Sequence, residues 1–310
     1  MAISRSQLVK ELEPGLNALF GLEYKRYDSE HEEIFIKETS DRAFEEEVML
    51  SGFGNAAIKA EGSGVNYDQA QETFTARYTH NTIALAFAIT EEAIEDNLYD
   101  RLASRYTKAL ARSMANTKQV TAANVLNNGF STNFLGGDGS PLFSTTHATI
   151  SGTFRNTLAT AADLNETSLE QSLIDIAAFT DERGLKIAAQ GVKLIIPSES
   201  QFTADRLMSS AGRTGTADND INAIKNKGMI SQGYVVNHYL TDSDAFFIMT
   251  DVPNGLKYFE RSPIRTSMEG DFETGNVRYK ARERYSFGFS DPRGAFGSPG
   301  AEELFFMGRA

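Results

Sequence analysis

Cysteine is absent from the 310 residues, and so is tryptophan. The first absence excludes disulfides, thiolate nucleophiles and thiolate-ligated metals. Only 4 histidines occur, His31, His80, His147 and His238, and none stands at a close metal-ligand spacing. No apolar run approaches the ~20 residues that cross a bilayer, which argues against a membrane partner. Met1-Ala2-Ile3-Ser4-Arg5-Ser6 lacks the apolar stretch of a secretion signal. Synthesis in a cytoplasm is the resulting expectation. Basic charge is also short: 30 Lys and Arg face 42 Asp and Glu, a formal net charge of -12. Such a surface is a poor match to a nucleic-acid backbone and keeps copies apart at low salt.

The motifs of chemistry are missing as well. Gly62-Ser63-Gly64 lacks the strand-turn-helix context of a dinucleotide site. Gly136-Gly137-Asp138-Gly139-Ser140 lacks the lysine of a phosphate loop and the remaining ligands of a calcium loop. It reads as a tight turn. No GxSxG elbow accompanies His147, so a hydrolase built on that histidine and a nearby serine is a secondary reading. No catalytic residue, metal or cofactor is expected.

The dominant feature that is present is a helical pattern over residues 91–126. Thr90 can cap its start, and Asn127-Asn128-Gly129 closes its end. Ile94, Leu98, Leu102, Tyr106, Leu110, Met114 and Thr117 recur at helical spacing. Carboxylates fill its first third, Glu91, Glu92, Glu95, Asp96 and Asp100. Arg101, Arg105, Lys108, Arg112 and Lys118 follow, an order that suits the helix dipole. It also gives the rod opposite signs at its two ends, by which copies could pair head to tail.

Ahead of the rod, Leu8, Leu12, Leu16 and Leu19 mark an amphipathic helix over 4–20, which Pro14-Gly15 should bend or interrupt. It packs on its own core or docks on a neighbour. Glu45-Glu46-Glu47 precedes a glycine-punctuated stretch, and residues 60–80 resemble a long two-stranded loop with a polar tip. Ile83, Leu85, Phe87 and Ile89 alternate with Ala84, Ala86 and Ala88, a strand apolar on both faces and therefore expected in the interior.

Behind the rod, residues 129–162 read as loop. Thr167 with Glu170 suggests a capping box for a helix over 168–182, ended by Gly184. Val192–Ile196 is a short buried strand, and Ser198 with Gln201 suggests a cap for a helix near 199–209. A polar loop is expected at 211–220. Strands follow around Tyr234 to Val236 and Ala245 to Met249. In 277–289, Val277, Tyr279, Ala281, Tyr285, Phe287 and Phe289 point one way, with Glu283 among them. Arg278, Lys280, Arg282 and Arg284 point the other. Four cations on one strand face repel each other and need carboxylates or nucleic acid opposite. Glu45, Glu46 and Glu47 are the candidate partners, within one chain or between chains.

The stretches AFAITEEAIEDNLYD at 86–100, GGDGSPLFSTTHA at 136–148 and LIIPSESQF at 194–202, with the order of elements around them, resemble the major capsid proteins of tailed bacteriophages. These have the Hong Kong 97-type fold, and the local wording is closest to the Mu-like major head subunits. The resemblance implies an α+β chain. Its parts would be an N-terminal arm (1–47), an extended loop (48–80), a peripheral domain (81–159 and 256–310) holding the spine helix, and an axial domain (160–255). It implies hexamers and pentamers closing into an icosahedral shell around double-stranded DNA, which the shell would touch only nonspecifically. Glu45, Glu46, Glu47, Phe53, Tyr67, Arg77, Arg278, Lys280, Arg282 and Arg284 are the expected inter-subunit contacts. Portal and scaffolding proteins, with a cement protein as a further candidate, are the implied partners. The chain begins at methionine without a long charged helical prefix, so a separate scaffold is expected. Some relatives crosslink through a lysine and an asparagine; Lys59 lies near the loop, but no motif assigns such a pair. A nanocompartment shell of the same fold is the related alternative.

Overall fold

The computed structural model describes residues 5–90, 92, 99–212, 220–270 and 275–301, the side chains of 5–12 and 99–102 excepted. The expected start of the long helix at 91 and 93–98 and most of the 211–220 loop lie outside the described residues. Helix α1 is Arg5–Tyr24, and strands β1 to β4 are Ile36–Thr39, Phe44–Leu50, Glu72–Thr79 and Asn81–Ile89. The spine helix α2 is Tyr99–Asn127, about 43 Å long at 1.5 Å per residue. A hairpin β5 (His147–Thr149) and β6 (Gly152–Phe154) precedes α3 (Glu166–Ala177). Next come β7 (Gly191–Ile196), α4 (Gln201–Ser209), α5 (Ala223–Lys227), β8 (Tyr234–Val236) and β9 (Phe246–Thr250). Two long strands, β10 (Leu256–Gly270) and β11 (Val277–Phe289), lead to β12 (Ala295–Ser298).

Two four-stranded sheets organise the chain. One has the order β1-β10-β11-β4 and the other β12-β9-β7-β8, while β2-β3 and β5-β6 are separate ribbons. Helices α1 and α2 cover one face of the first sheet. Leu16 and Phe20 of α1 meet Ala103, Leu110, Ala111 and Met114 of α2 over Tyr279 and Ala281 of β11. The second sheet carries its own core, in which Leu169, Leu173 and Ile176 of α3 and Leu207 of α4 pack on Leu194, Phe246 and Ile248. A third cluster joins the two sheets around Leu126, Leu142, Phe143, Phe247, Tyr258 and Tyr285.

Several expectations are corrected. Helix α1 runs through Pro14 without a break. Proline removes one backbone bond, and packing of Leu16 and Phe20 against α2 offsets that loss. Tyr106 is half exposed and does not share the buried face of α2, which is made by Ala103, Thr107, Leu110, Ala111 and Met114. The cap of α3 is Asn165 with Ser168, not Thr167 with Glu170, and the helix stops at Ala177. Ser198 donates to Glu199 rather than capping α4. The loop at 129–162 holds the β5-β6 hairpin.

The largest correction concerns β4. Its two apolar faces read as an interior strand, yet among the described residues it is the edge of its sheet, paired with β11 alone. In the single chain Leu85 is 45% exposed, and Ile89 is the buried residue of the strand. Hydrophobic pattern records that a surface is to be covered; it does not record which layer covers it.

Candidate inter-subunit surfaces

The base of the hairpin β2-β3 packs on the first sheet, where Ala76 and Tyr78 are buried against Phe259 of β10, and the rest projects beyond it. The hairpin's register pairs Phe44 with Thr79, Glu46 with Arg77 and Val48 with Thr75. Beyond it, residues 51–71 form no regular element. Ser51 closes the base, its N–H donating to the Gln71 carbonyl at 2.9 Å and its hydroxyl accepting the Gln71 N–H at 2.9 Å. Outward of that clasp Phe53, Ile58, Val65 and Tyr67 are exposed, Tyr67 at 97% and Ile58 at 100%. A chain segment that presents four large apolar groups to water is built to be covered. Asp68 gathers its two limbs: one carboxylate oxygen accepts the Gly54 N–H at 2.7 Å, the other the Gln69 N–H at 2.8 Å. Those backbone donors, Gly54 first, hold the Asp68 carboxyl below its usual range, and Arg183 adds to the effect.

The three glutamates of β2 take separate roles. Glu45 accepts from the Ser40 hydroxyl at 2.6 Å. Glu46 lies 3.8 Å from Arg77, whose guanidinium stacks 4.1 Å from the centre of the Phe44 ring. Glu47 accepts from Lys257 and Ser290 at the hairpin base. Lys257 is buried, which works against its charge, but Glu47 and Glu38 outweigh this and hold its pKa above the ordinary value. The expected pairing of these glutamates with the basic row of β11 therefore does not form within one chain. Glu45 and Glu47 anchor the base of the hairpin instead, because β2 crosses near the start of β10 and not over the far half of β11, while Glu46 faces Arg77 on the exposed side.

The basic row itself is present. Arg278, Lys280 and Arg282 are exposed, and Arg284 is partly buried, on the face of β11 turned away from the helices. The opposite face holds Val277, Tyr279, Ala281, Glu283 and Tyr285, all buried. Glu283 is 1% exposed. It accepts from the Tyr24 hydroxyl at 3.2 Å and lies 3.4 Å from the Lys118 ammonium. Burial pushes its carboxyl up, against the pull of Lys118. One carboxylate thus joins α1, α2 and β11.

The 136–148 stretch forms a buried lock. Asn156 donates from its amide nitrogen to the carbonyls of Leu142, Pro292 and Ala295, at 2.7, 2.9 and 3.2 Å. Its amide oxygen is therefore an acceptor, and it receives the Ser144 N–H at 2.9 Å and His147 Nε2 at 3.0 Å. His147 Nδ1 faces Asp138 at 2.6 Å, and the ring stacks on Phe154. Both nitrogens are engaged and the ring is fully buried, so no nucleophilic serine can use it. The hydrolase reading is withdrawn on this geometry. Gly137 in the same stretch touches the hairpin: a Cβ there would lie 2.6 Å from the Thr75 carbonyl oxygen. Among the described residues no cluster of three or more His, Asp or Glu could hold a metal ion, and no helix is long and apolar enough to cross a membrane.

A projecting hairpin, a stiff helix laid on a long-stranded sheet and a separate α/β layer define the Hong Kong 97-type capsid fold. Among solved structures the chain is similar to the capsid of cyanophage P-SCSP1u, at 12% identity over 85% of each chain and a TM-score of 0.53. It is similar to the procapsid of bacteriophage JBD30, at 15% identity over 97% of this chain and 77% of that one, TM-score 0.52. The capsid of an empty GTA particle matches at 16% identity over 88% of this chain and 90% of that one, TM-score 0.51. No curated protein matches the sequence. The family model described as phage capsid protein matches residues 72–297. The chain belongs to that family and is a major capsid protein of a tailed phage, a structural component of the virion.

Proposed function

We propose that this capsid protein forms hexamers and pentamers that close into an icosahedral shell around double-stranded DNA, and that it belongs with the Mu-like head subunits. The observation that carries the assembly reading is the exposed segment 51–71 with Phe53, Ile58, Val65 and Tyr67 directed to water. A neighbouring subunit is the surface that covers them. Phe53, Tyr67, Glu46 and Arg77 on the hairpin, with Arg278, Lys280, Arg282 and Arg284 on β11, are the proposed contacts. Glu45 and Glu47 act from within, by fixing the base from which the hairpin projects.

In this reading residues 1–47 are the arm, 48–80 the extended loop, 81–159 and 256–310 the peripheral domain, and 160–255 the axial domain. Each contact is weak, and closure of the shell makes their sum strong. A scaffolding protein guides assembly in the host cytoplasm, a portal occupies one vertex, a cement protein is a further candidate partner, and packaged DNA is met only nonspecifically. A phage head is favoured over a nanocompartment because the matching family model is that of phage capsids.

Negative-stain microscopy of the purified chain, with scaffold coexpressed, tests the proposal. Closed shells are expected. Open rings, stacked tubes or a persistent monomer would refute it.

A further inference from the structure

Among the described residues no strand pairs with the outer edge of β4, Asn81–Ile89, so one edge of the first sheet is open. Long exposed edges are normally guarded by a charge, a proline or a bulge. β4 has none of these: its sequence is NTIALAFAI, and its register with β11 is unbroken from Asn81 to Ile89. The alanines Ala84, Ala86 and Ala88 lie opposite Arg282, Lys280 and Arg278. They form a low floor beside the basic row. Arg265 on β10 lies opposite Arg282 and adds a further cation. Arg284 carries a buried Nε with no acceptor. Glu269 of β10 lies opposite Arg278 on the same face, so Lys280 and Arg282 are the exposed cations of β11 with no carboxylate directly across either neighbouring strand, in a chain of net charge -12.

We infer that this face receives an extended acidic segment of a second copy of the chain, added to β4 as a further strand. The inference rests on the shell reading above. Two features select a polypeptide. The outward N–H and C=O groups of β4 alternate along about 30 Å of strand, and only another backbone satisfies both kinds. Duplex phosphates accept hydrogen bonds and would leave the carbonyls unpaired. Charge selects the source, since 42 carboxylates against 30 cations make the remaining surface of each copy the complement of this row. The alanine floor lets the added strand's side chains lean over toward Lys280 and Arg282.

Hydrogen exchange of residues 81–89, measured in the isolated subunit and in the assembled shell, tests the inference together with the double variant K280E/R282E. The β4 amides that do not bond β11 should exchange at least about tenfold more slowly in the shell. The variant should keep its melting temperature and circular dichroism yet need roughly tenfold more protein to assemble. Shells whose β4 amides exchange as fast as in the subunit overturn strand addition and leave the shell reading intact. A wild-type chain that forms no shell overturns both. Binding of a short double-stranded oligonucleotide that K280E/R282E abolishes, with β4 exchange unchanged, overturns the inference in favour of DNA.

Discussion

Arg183 and Asp68, 115 residues apart in sequence, meet at 3.1 Å and tie the projecting hairpin to the turn that follows α3. The same guanidinium donates to the Gln69 carbonyl at 2.7 Å. The turn is preformed for this task, since Asp181 accepts the N–H groups of Arg183 and Leu185 and Gly184 takes a φ of 83°. Among the described residues this is the polar tie that holds the outer limb of the loop against its own chain. Arg183→Ala should therefore loosen residues 54–69 without unfolding the body. A solvent-screened pair of this kind contributes little to stability, so the melting temperature should barely move. Amide exchange in 54–69 should rise; unchanged exchange would show that the tie is incidental.

Asn156 is the hub of the buried lock. Asn156→Ala takes a donor from the carbonyls of Leu142, Pro292 and Ala295, of which Pro292 keeps the Ala295 N–H, and leaves the Ser144 N–H and His147 Nε2 without their shared acceptor. Each buried orphan costs roughly 1–3 kcal/mol. The total loss should be about 3 kcal/mol or more, measured by urea denaturation. A loss under about 1 kcal/mol would mean that water replaces the side chain.

Gly137→Ala tests the seat of the hairpin. The new methyl would meet the Thr75 carbonyl oxygen, a backbone atom that cannot rotate away. Overpacking of this kind costs roughly 1–3 kcal/mol. Assembly should suffer beyond the loss of stability, because β3 is pushed from its place. A variant that melts lower but assembles like wild type would separate the hairpin's position from its function.

Phe20→Ala addresses the docking of α1 on the spine helix. Phe20 is buried against the cluster of Leu110, Met114 and Tyr279. Truncation should cost about 3–5 kcal/mol if α1 folds as one unit with the body. A small loss, with rapid exchange of residues 13–24 in the variant, would show that α1 detaches on its own.

Acid should weaken the fold through its buried imidazoles. Burial holds His31 and His80 below the usual imidazole range. His80 sits between the hydroxyls of Ser40 and Ser286 at 2.9 Å each, and His31 bonds Gln119 at 3.1 Å. A histidine with a depressed folded-state pKa is neutral in the fold. Its contribution is present above the unfolded value of about 6.5 and is lost as pH falls from there toward the lower folded value. Glu283 and Asp291 act with the opposite sign, since burial raises both carboxyls and acid favours their native form. The His80→Asn variant isolates the first effect. Its stability relative to wild type should improve as pH drops from 7 to about 5, and a pH-independent difference would count against the assignment.

Much of the architecture was legible because local rules enforce it. The alternation in 277–289 separates a core face from Arg278, Lys280, Arg282 and Arg284, and the folded strand keeps that division. Asn127 ends the spine helix as the Asn-Asn-Gly run implies. The contacts of the hairpin were not legible. Glu47 meets Lys257 across 210 residues, and Arg183 meets Asp68 across 115. Neither pair leaves a periodic or spaced signal, because long-range partners are chosen by how the sheets stack. His147 was readable only as a loop histidine, and its three-carbonyl neighbour Asn156 gave no sign at all.

By itself the chain's order of residues determined the absence of thiol chemistry, the rod, strand β11 and the segregation of charge on it, while β10 gave no such signal. Those follow from side-chain type and from the periods 3.6 and 2, which act over a few residues. Tertiary structure alone decided that β4 lies at an edge, that Glu45 and Glu47 turn to the hairpin base, and that His147 is buried with both ring nitrogens engaged. Each depends on which distant surfaces meet, and burial energy rewards any apolar cover without specifying the segment that provides it.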